Sequence, residues 1–204
     1  GNTSPVLFPI VGTLKANTYN YEAQSYQLSR HGFARDKEFT VTAQSADSLT
    51  LSIESDESTL AVYPFLFRFS IIYTLRGDEL TVGYQVQNIG EKPMYFSVGG
   101  HPAFKVPLVA GTSYSDYQLH FEKEETANRW LISREGLIAN ETAPLLQQSS
   151  VLPLTKELFG KDAVVFKHLQ SSWVQLQSEK TPHGLRFSFP RFPFLGLWAA
   201  PGAD

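Results

Sequence analysis

Alternation of apolar and polar residues is the feature that most constrains the fold of this chain. Four segments place apolar side chains at every second position: LTLSI (49–53), LTVGYQV (80–86), YQLHF (117–121) and LRFSF (185–189). Successive side chains of a β-strand point to opposite faces, so this period of two predicts strands with one buried face. Such half-buried strands are typical of antiparallel sheets.

Turn-forming sequences separate these strands at short, fairly regular intervals. They are RGDE (76–79), NIGEKP (88–93), VAGTS (109–113) and KTPHG (180–184). This spacing indicates a β-sandwich or a barrel.

Helical patterns are weak by comparison. The best stretches, EKEETANRW (122–130) and LTKELFG (154–160), are short and weakly amphipathic. Strands do not alternate with helices, so a doubly wound sheet is not expected. A length of 204 residues suits one all-β domain, which we predict to span residues 1–204.

Composition disfavours several classes of partner. The chain has seventeen Lys and Arg and twenty Asp and Glu, and it has no basic stripe. Nucleic acid and anionic membranes are therefore poor candidates for its binding partner. The chain has no cysteine for a disulfide or a zinc–thiolate site. Its longest apolar runs, such as PVLFPIVG (5–12), are too short to span a membrane. We therefore expect a soluble cytoplasmic protein.

Local motifs narrow the possible chemistry further. The nucleophile elbow, the phosphate-binding loops and the zinc-protease motif are all missing, which leaves five histidines as candidates. By its place in the alternation, His120 is expected to be exposed. His168 is expected to be packed at a strand end, and His183 to lie in a turn.

His31 has unusually charged neighbours. It lies in RHGFARD (30–36), where Arg30, Arg35 and Asp36 bring both signs of charge close to one imidazole. Gly32 allows another segment of backbone to approach closely. Both a salt-bridged turn and a polar ligand site would produce this pattern.

His101 is confined by its neighbours in the chain. It follows Gly99 and Gly100 and precedes Pro102, which favours an extended backbone at a strand end or bulge. A histidine held in this way suits a general acid, because histidine exchanges protons near neutral pH. A metal site that combined both histidines with Asp36 or Asp162 is disfavoured, because the chain has no close HxH ligand pair.

Five segments together resemble a known family. They are SPVLFPIVG (4–12), YQLSRHGFARDKEF (26–39), VGGHPAF (98–104), LFGKDAVVF (158–166) and RFPFLGLWAAPGA (191–203). Their order and spacing resemble the aldose 1-epimerase (galactose mutarotase-like) family, and more narrowly its LacX-type branch.

The resemblance implies a fold and a reaction. The fold is a large antiparallel β-sandwich, the galactose mutarotase-like supersandwich, with a sugar cleft on one concave sheet. The reaction interconverts the α and β anomers of a free hexose such as galactose or glucose. A carboxylate base removes the anomeric proton while a histidine acid protonates the ring oxygen. No metal or organic cofactor is implied.

The resemblance also assigns roles to individual residues. His101 matches the catalytic acid, and His31 matches a second histidine that hydrogen-bonds the sugar and stabilises charge at its ring oxygen. Asp162 resembles an aspartate that binds sugar hydroxyls.

Four further residues are weaker site candidates. On charge grounds Arg35 is placed near the cleft, with a salt bridge to Asp36 or Glu38 as the alternative. Candidate sugar-facing aromatics, each with a place in the core as its alternative, are Phe33, Phe104 and Trp198.

Two departures from the family pattern qualify these expectations. Thr13 stands where many members carry a substrate-contacting arginine, so the sugar preference is open. The family's glutamate base is expected beyond Asp204, and the opening strands of the sandwich are expected before Gly1. A terminal Asp204 carboxylate would lack the fixed geometry that a base requires. We therefore expect residues 1–204 to be part of a longer mutarotase-like chain, and inactive if they stand alone.

Two other functions remain open at this point. The chain could be a sugar-binding or sugar-sensing β-sandwich without turnover, which the loss of the arginine at Thr13 favours. It could also be a structural β-sandwich that binds a partner protein, as its aromatic content allows. The oligomeric state is not predicted.

Overall fold

Strands dominate the structure, a computed structural model that describes residues 4–160 and 162–200. The chain forms two compact units, Gly1–Ala103 and Phe104–Asp204. We call them the N-terminal and the C-terminal unit. The predicted all-β, antiparallel fold class is confirmed, because all the strand pairs of the described residues are antiparallel. The single domain over residues 1–204 stays a prediction.

The N-terminal unit contains one four-stranded sheet and two short strand pairs. Its strands are β1 (Val6–Leu7), β2 (Thr18–Tyr21), β3 (Gln24–Gln27), β4 (Thr40–Gln44), β5 (Ser48–Glu54), β6 (Phe67–Arg76), β7 (Glu79–Asn88) and β8 (Gly99–Gly100). Strands β4 to β7 form the sheet in chain order, β2 pairs with β3, and β1 pairs with β8. Its helical elements are α1 (Glu57–Leu60) and the 3₁₀ helices Lys15–Asn17 and Ala34–Asp36.

The β6–β7 hairpin forms where RGDE predicts a turn. Arg76 pairs with Glu79 around Gly77 and Asp78, and the pairing continues to Phe67 and Asn88. The alternation predicts the strand correctly but overstates its burial, because Leu80 is 60% exposed. The packed part of β7 begins further along the strand, at Tyr84 and Val86.

An aromatic cluster forms the core of the N-terminal unit. Phe8 is fully buried, and its ring stacks on Phe69 with 4.6 Å between centroids. Phe67 lies 5.1 Å from Phe8, and Tyr63 and Phe65 complete the centre of the cluster. Each such ring removes a large apolar area from water and gains from the tilted or stacked contacts. Phe8 therefore anchors the segment that, as described below, holds both candidate histidines.

The C-terminal unit is built on one six-stranded sheet. Its strands are β9 (Tyr117–Ile132), β10 (Ile138–Pro153), β11 (Val164–Lys167), β12 (Trp173–Ser178), β13 (Thr181–Ser188) and β14 (Phe194–Leu197). The sheet order is β13-β12-β9-β11-β14, and β10 also pairs with β9. Two 3₁₀ helices, Tyr114–Asp116 and Lys156–Phe159, lie outside the sheet.

Two local expectations for this unit are wrong. Residues 122–130, expected as a helical stretch, lie inside β9, because pairing with β10 along most of the strand outweighs local helix preference. KTPHG is largely strand, since the β12–β13 turn falls at Glu179 and Lys180. The other helical stretch does contain a short 3₁₀ helix, Lys156–Phe159.

The core of the C-terminal unit follows the predicted alternation. Tyr117, Leu119 and Phe121 of β9 are buried, and they pack with Val164 and Phe166 of β11. In the described part of the chain, no helix is long and apolar enough to cross a membrane.

Candidate functional site

His31 occupies a sharp turn of the N-terminal unit. Its φ is +72°, and that of Gly32 is +71°, so two consecutive residues have left-handed backbone. A Cβ added at Gly32 would lie 2.3 Å from the carbonyl oxygen of Phe8, which is too close for any residue that has a Cβ. The close approach expected at Gly32 is therefore an approach to Phe8.

One segment, residues 5–12, holds the turn of His31 by main-chain hydrogen bonds. Phe33 and Ala34 donate their N–H groups to the Phe8 carbonyl at 3.1 and 3.2 Å. The N–H of His31 donates to the Gly12 carbonyl at 2.8 Å.

The same segment also holds His101. Val6 and Leu7 of β1 pair with Gly100 and Gly99 of β8. The next N–H, that of His101, donates to the Pro5 carbonyl at 3.2 Å. A single stretch of backbone, anchored by Phe8, therefore positions both histidines.

The structure brings the two imidazole rings together. The ring centroids of His31 and His101 are 6.2 Å apart, and the rings are inclined at 75°. His31 is partly buried, whereas His101 is exposed. This pair is the centre of the candidate site.

His31 is held in its neutral form. The N–H of Gly12 donates to His31 Nδ1 at 3.0 Å. Burial first, and then the positive charges of Arg30 and Arg35 and the nearby His101, lower the pKa of His31 to about 4. At pH 7 the ring therefore carries no charge.

The glycine pair before His101 allows close packing. A Cβ at Gly100 would lie 2.6 Å from the hydroxyl of Tyr84, and one at Gly99 would lie 3.0 Å from Val11 Cγ2. Side chains at these two positions would therefore require Tyr84 and Val11, or β8 itself, to shift.

Arg35 forms a local ion pair and acts on the charge state of His31, while its place near a sugar cleft stays a prediction. Its Nε lies 3.8 Å from Asp36 Oδ2, which is the salt bridge expected as the alternative. Its charge also lowers the pKa of His31. It therefore affects the charge state of the candidate site as well as forming a local ion pair.

The three candidate aromatics differ in burial. Phe33 is partly buried and packs against the core, with its ring 5.9 Å from Phe67, which favours the core alternative for this residue. Phe104 is 43% exposed and Trp198 is 56% exposed, so a place in the core is wrong for both.

Asp162 lies in the C-terminal unit, in the short turn before β11. Its φ is +83°, and its Oδ1 accepts a hydrogen bond from the N–H of Ala163 at 2.7 Å. Arg129 donates to the main-chain carbonyls of Leu158, Asp162 and Ala163 at 3.0–3.3 Å. The Asp162 carboxylate is exposed, and one of its oxygens is already used to hold its own turn. Asp204 lies outside the described residues.

The other histidines deviate from expectation. His120 is partly buried, and its Nε2 is buried without a hydrogen-bond partner, whereas exposure was expected. His168 is exposed just after β11 instead of packed, and His183 is exposed on β13 instead of in a turn. Among residues 4–160 and 162–200, no three His, Asp or Glu side chains group closely enough to hold a metal ion.

Sequence reasoning missed the role of Gly12. The only available signal was its place at the end of the SPVLFPIVG segment, which the resemblance marks as a whole without assigning a task to this residue. Almost every residue type has a main-chain N–H, so the sequence does not show that the N–H of Gly12 contacts His31 Nδ1. Only the fold reveals this contact.

Comparison with known proteins identifies the class. The sequence model of the aldose 1-epimerase family matches residues 4–200, so the chain belongs to this family. Membership supports a mutarotase-like function in sugar binding.

Individual relatives agree with this assignment. The plasmid and chromosomal forms of Protein LacX from Lactococcus lactis subsp. lactis are each 36% identical over 204 residues, which cover 96% of this chain and 68% of theirs. A galactose mutarotase related enzyme from Lactobacillus acidophilus is 32% identical, with a TM-score of 0.89 over 98% of this chain and 67% of its own. A galactose mutarotase-like protein from Lactobacillus casei is 31% identical, with a TM-score of 0.88 over 97% of this chain and 70% of its own. The predicted galactose mutarotase-like fold is therefore confirmed.

Proposed function

We propose that the protein is an aldose 1-epimerase that interconverts the α and β anomers of a free hexose. The observation that carries this proposal is the pair of imidazoles, 6.2 Å apart, whose backbones are held by one segment. The family to which the chain belongs and the names of its relatives support the reaction class. Galactose and glucose are the substrates we would test first.

The proposed reaction needs one acid and one base. The base takes the proton of the anomeric hydroxyl, and the acid gives a proton to the ring oxygen as the bond from C1 to that oxygen breaks. The resulting open-chain aldehyde rotates about C1–C2, and closure by the reverse steps gives the other anomer. No atom is gained or lost, and both protein groups return to their starting protonation states.

The two histidines suit different parts of this reaction. His101 is exposed, so its side chain can meet a sugar and exchange a proton with it. His31 is neutral at pH 7 and can offer a hydrogen bond to the sugar. We therefore assign His101 as the acid and His31 as a hydrogen-bond donor to the sugar. Asp162 is our candidate for binding a sugar hydroxyl.

Polarimetry of freshly dissolved α-galactose tests the proposal. The full-length protein should accelerate mutarotation, and His101→Ala should reduce kcat/KM by about 10²- to 10⁴-fold, the usual loss for a general acid. His183→Ala is the matched control, because it removes an exposed histidine outside the proposed site. An unchanged rate in His101→Ala would refute the assignment of the acid.

A second function has one specific observation in its favour. Thr13 stands where the resemblance leads us to expect an arginine that contacts the substrate. A sugar-binding or sugar-sensing protein without turnover would tolerate this change. Titration calorimetry with a panel of sugars separates the two, because a sensor would bind one sugar selectively and leave the mutarotation rate unaltered.

A further inference from the structure

The hydrogen bonds between Gly12 and His31 run in both directions. The His31 N–H donates to the Gly12 carbonyl at 2.8 Å, and the Gly12 N–H donates to His31 Nδ1 at 3.0 Å. A main-chain N–H can only donate, so Nδ1 must act as an acceptor and carry no proton. The single proton of a neutral imidazole is then on Nε2.

We propose that the Gly12 N–H is a positioning group that holds His31 as its Nε2–H tautomer, so that His31 meets the sugar only as a neutral hydrogen-bond donor. This inference rests on the proposed function for the role of the sugar. The tautomer itself is a property of the protein without any ligand.

The surroundings of His31 agree with this tautomer. A proton on Nδ1 would point at the Gly12 N–H, which would set two donors against each other. The cations near the ring, Arg30 and Arg35, oppose a positive charge on it, and His101 does so as well. Asp36 lies in the same stretch of chain and pairs with Arg35, with 3.8 Å between its Oδ2 and Arg35 Nε. The hydrogen bond to Nδ1 and the surrounding charges therefore both favour the neutral Nε2–H tautomer of His31.

The two histidines therefore have different roles in the proposed reaction. A ring that already accepts at Nδ1 and holds its proton on Nε2 can stabilise a sugar oxygen through a hydrogen bond without giving up that proton. Proton transfer then falls to His101. The two histidines are not interchangeable acids, although their rings lie only 6.2 Å apart.

NMR spectroscopy of ¹⁵N-labelled protein without sugar tests the tautomer directly. We expect an unprotonated Nδ1 and a protonated Nε2 for His31 from about pH 8 to about pH 5. We also expect a ¹⁵N–¹⁵N coupling across the hydrogen bond between the Gly12 amide and Nδ1. A merely structural contact with the ring would not produce this coupling. A proton on Nδ1, or titration near pH 6.5, would overturn the proposal.

Two matched variants test the role in catalysis. His31→Gln places an amide N–H₂ near the position of Nε2, whereas His31→Asn places an oxygen near Nδ1 and tolerates the left-handed backbone. We expect kcat/KM of the Gln variant to exceed that of the Asn variant by about tenfold, the value of one hydrogen bond. An Asn variant that is as active as the Gln variant, with both folded by thermal unfolding, would overturn the role as donor.

The NMR outcome does not depend on turnover. If the spectra show the Nε2–H tautomer and full-length protein does not accelerate mutarotation, the proposed reaction fails while the tautomer stands. If mutarotation is accelerated and Nδ1 is protonated, the proposed reaction stands and this inference fails.

Discussion

Two turns carry candidate site residues, and both place a residue other than glycine in left-handed backbone. His31 in the N-terminal unit has a φ of +72°, and Asp162 in the C-terminal unit has a φ of +83°. Such residues cost about 1–3 kcal/mol and persist only where the surrounding structure enforces them. The two turns differ in what enforces them.

Long-range contacts hold the turn of His31. Phe8 and Gly12 lie about twenty residues earlier in the chain, and their main-chain groups bond to residues of this turn. The side chain of His31 is itself part of that network through Nδ1. Both the position and the protonation state of the ring are therefore set before any ligand binds.

Side-chain hydrogen bonds hold the turn of Asp162, one of them local and one from a residue 33 positions away in the chain. Its carboxylate caps the next residue, Ala163, and its main-chain carbonyl accepts from Arg129 of β9. These hydrogen bonds fix the backbone of Asp162, but one oxygen of its carboxylate is used within the turn itself. Similar backbone conformations can therefore carry different degrees of preorganisation, and His31 is the stronger case for a functional side chain.

Gly32→Ala should produce the largest change and would break the turn of His31. The new Cβ would meet the Phe8 carbonyl oxygen at 2.3 Å, in left-handed backbone as well. We expect a loss of at least about 3 kcal/mol in the free energy of unfolding, from the clash and the backbone strain together. Urea unfolding measures this loss.

Gly77→Ala is the matched control for this variant. Gly77 has a φ of +60°, and nothing lies within 4 Å of an added Cβ, so only the backbone strain remains. Its expected loss is about 1–2 kcal/mol. Equal losses at Gly32 and Gly77 would show that the contact with Phe8 does not constrain the turn.

Acid should weaken the N-terminal unit through His31, because this ring is held neutral in the folded protein. Burial and the nearby cations lower the pKa of His31 from 6.5 to about 4 in the folded protein. Between these two pH values the unfolded chain binds more protons than the folded chain, so the free energy of unfolding falls as the pH falls. The full difference is at most about 3 kcal/mol, and partial exposure of the ring reduces the expected loss to about 1–2 kcal/mol.

The measurement is the pH dependence of urea unfolding for the wild type and for His31→Asn. The variant cannot titrate at this position, so its stability should fall less between pH 6.5 and 4, and acidic groups elsewhere affect both proteins equally. Parallel curves would show that burial does not hold His31 neutral.

The sequence predicts the scaffold of the site better than its chemistry. Period-two alternation identifies strands such as β5 and β7, because side-chain direction in a strand depends only on position. The local sequence of residues 122–130 predicts a helix wrongly, because the strand that forms there depends on pairing with β10, which lies outside any local window. The pairing of His31 with His101 could be expected from the resemblance alone, since the two lie far apart in the chain. The contact of Gly12 with Nδ1 could not be expected, because a main-chain donor is common to almost every residue type.

Asp162→Asn should produce the smallest change in stability, and it tests the turn of the C-terminal unit. Asn keeps a side-chain oxygen that can accept from the Ala163 N–H, and it tolerates left-handed backbone as well as Asp does. We therefore expect the free energy of unfolding to change by less than about 0.5 kcal/mol. If the carboxylate also binds a sugar hydroxyl, the loss of its charge should weaken sugar binding by about tenfold in titration calorimetry, because hydrogen bonds to charged groups are the stronger ones. If both the sugar affinity and the stability are unaltered, Asp162 only stabilises its own turn. The candidate site would then consist of the histidine pair of the N-terminal unit.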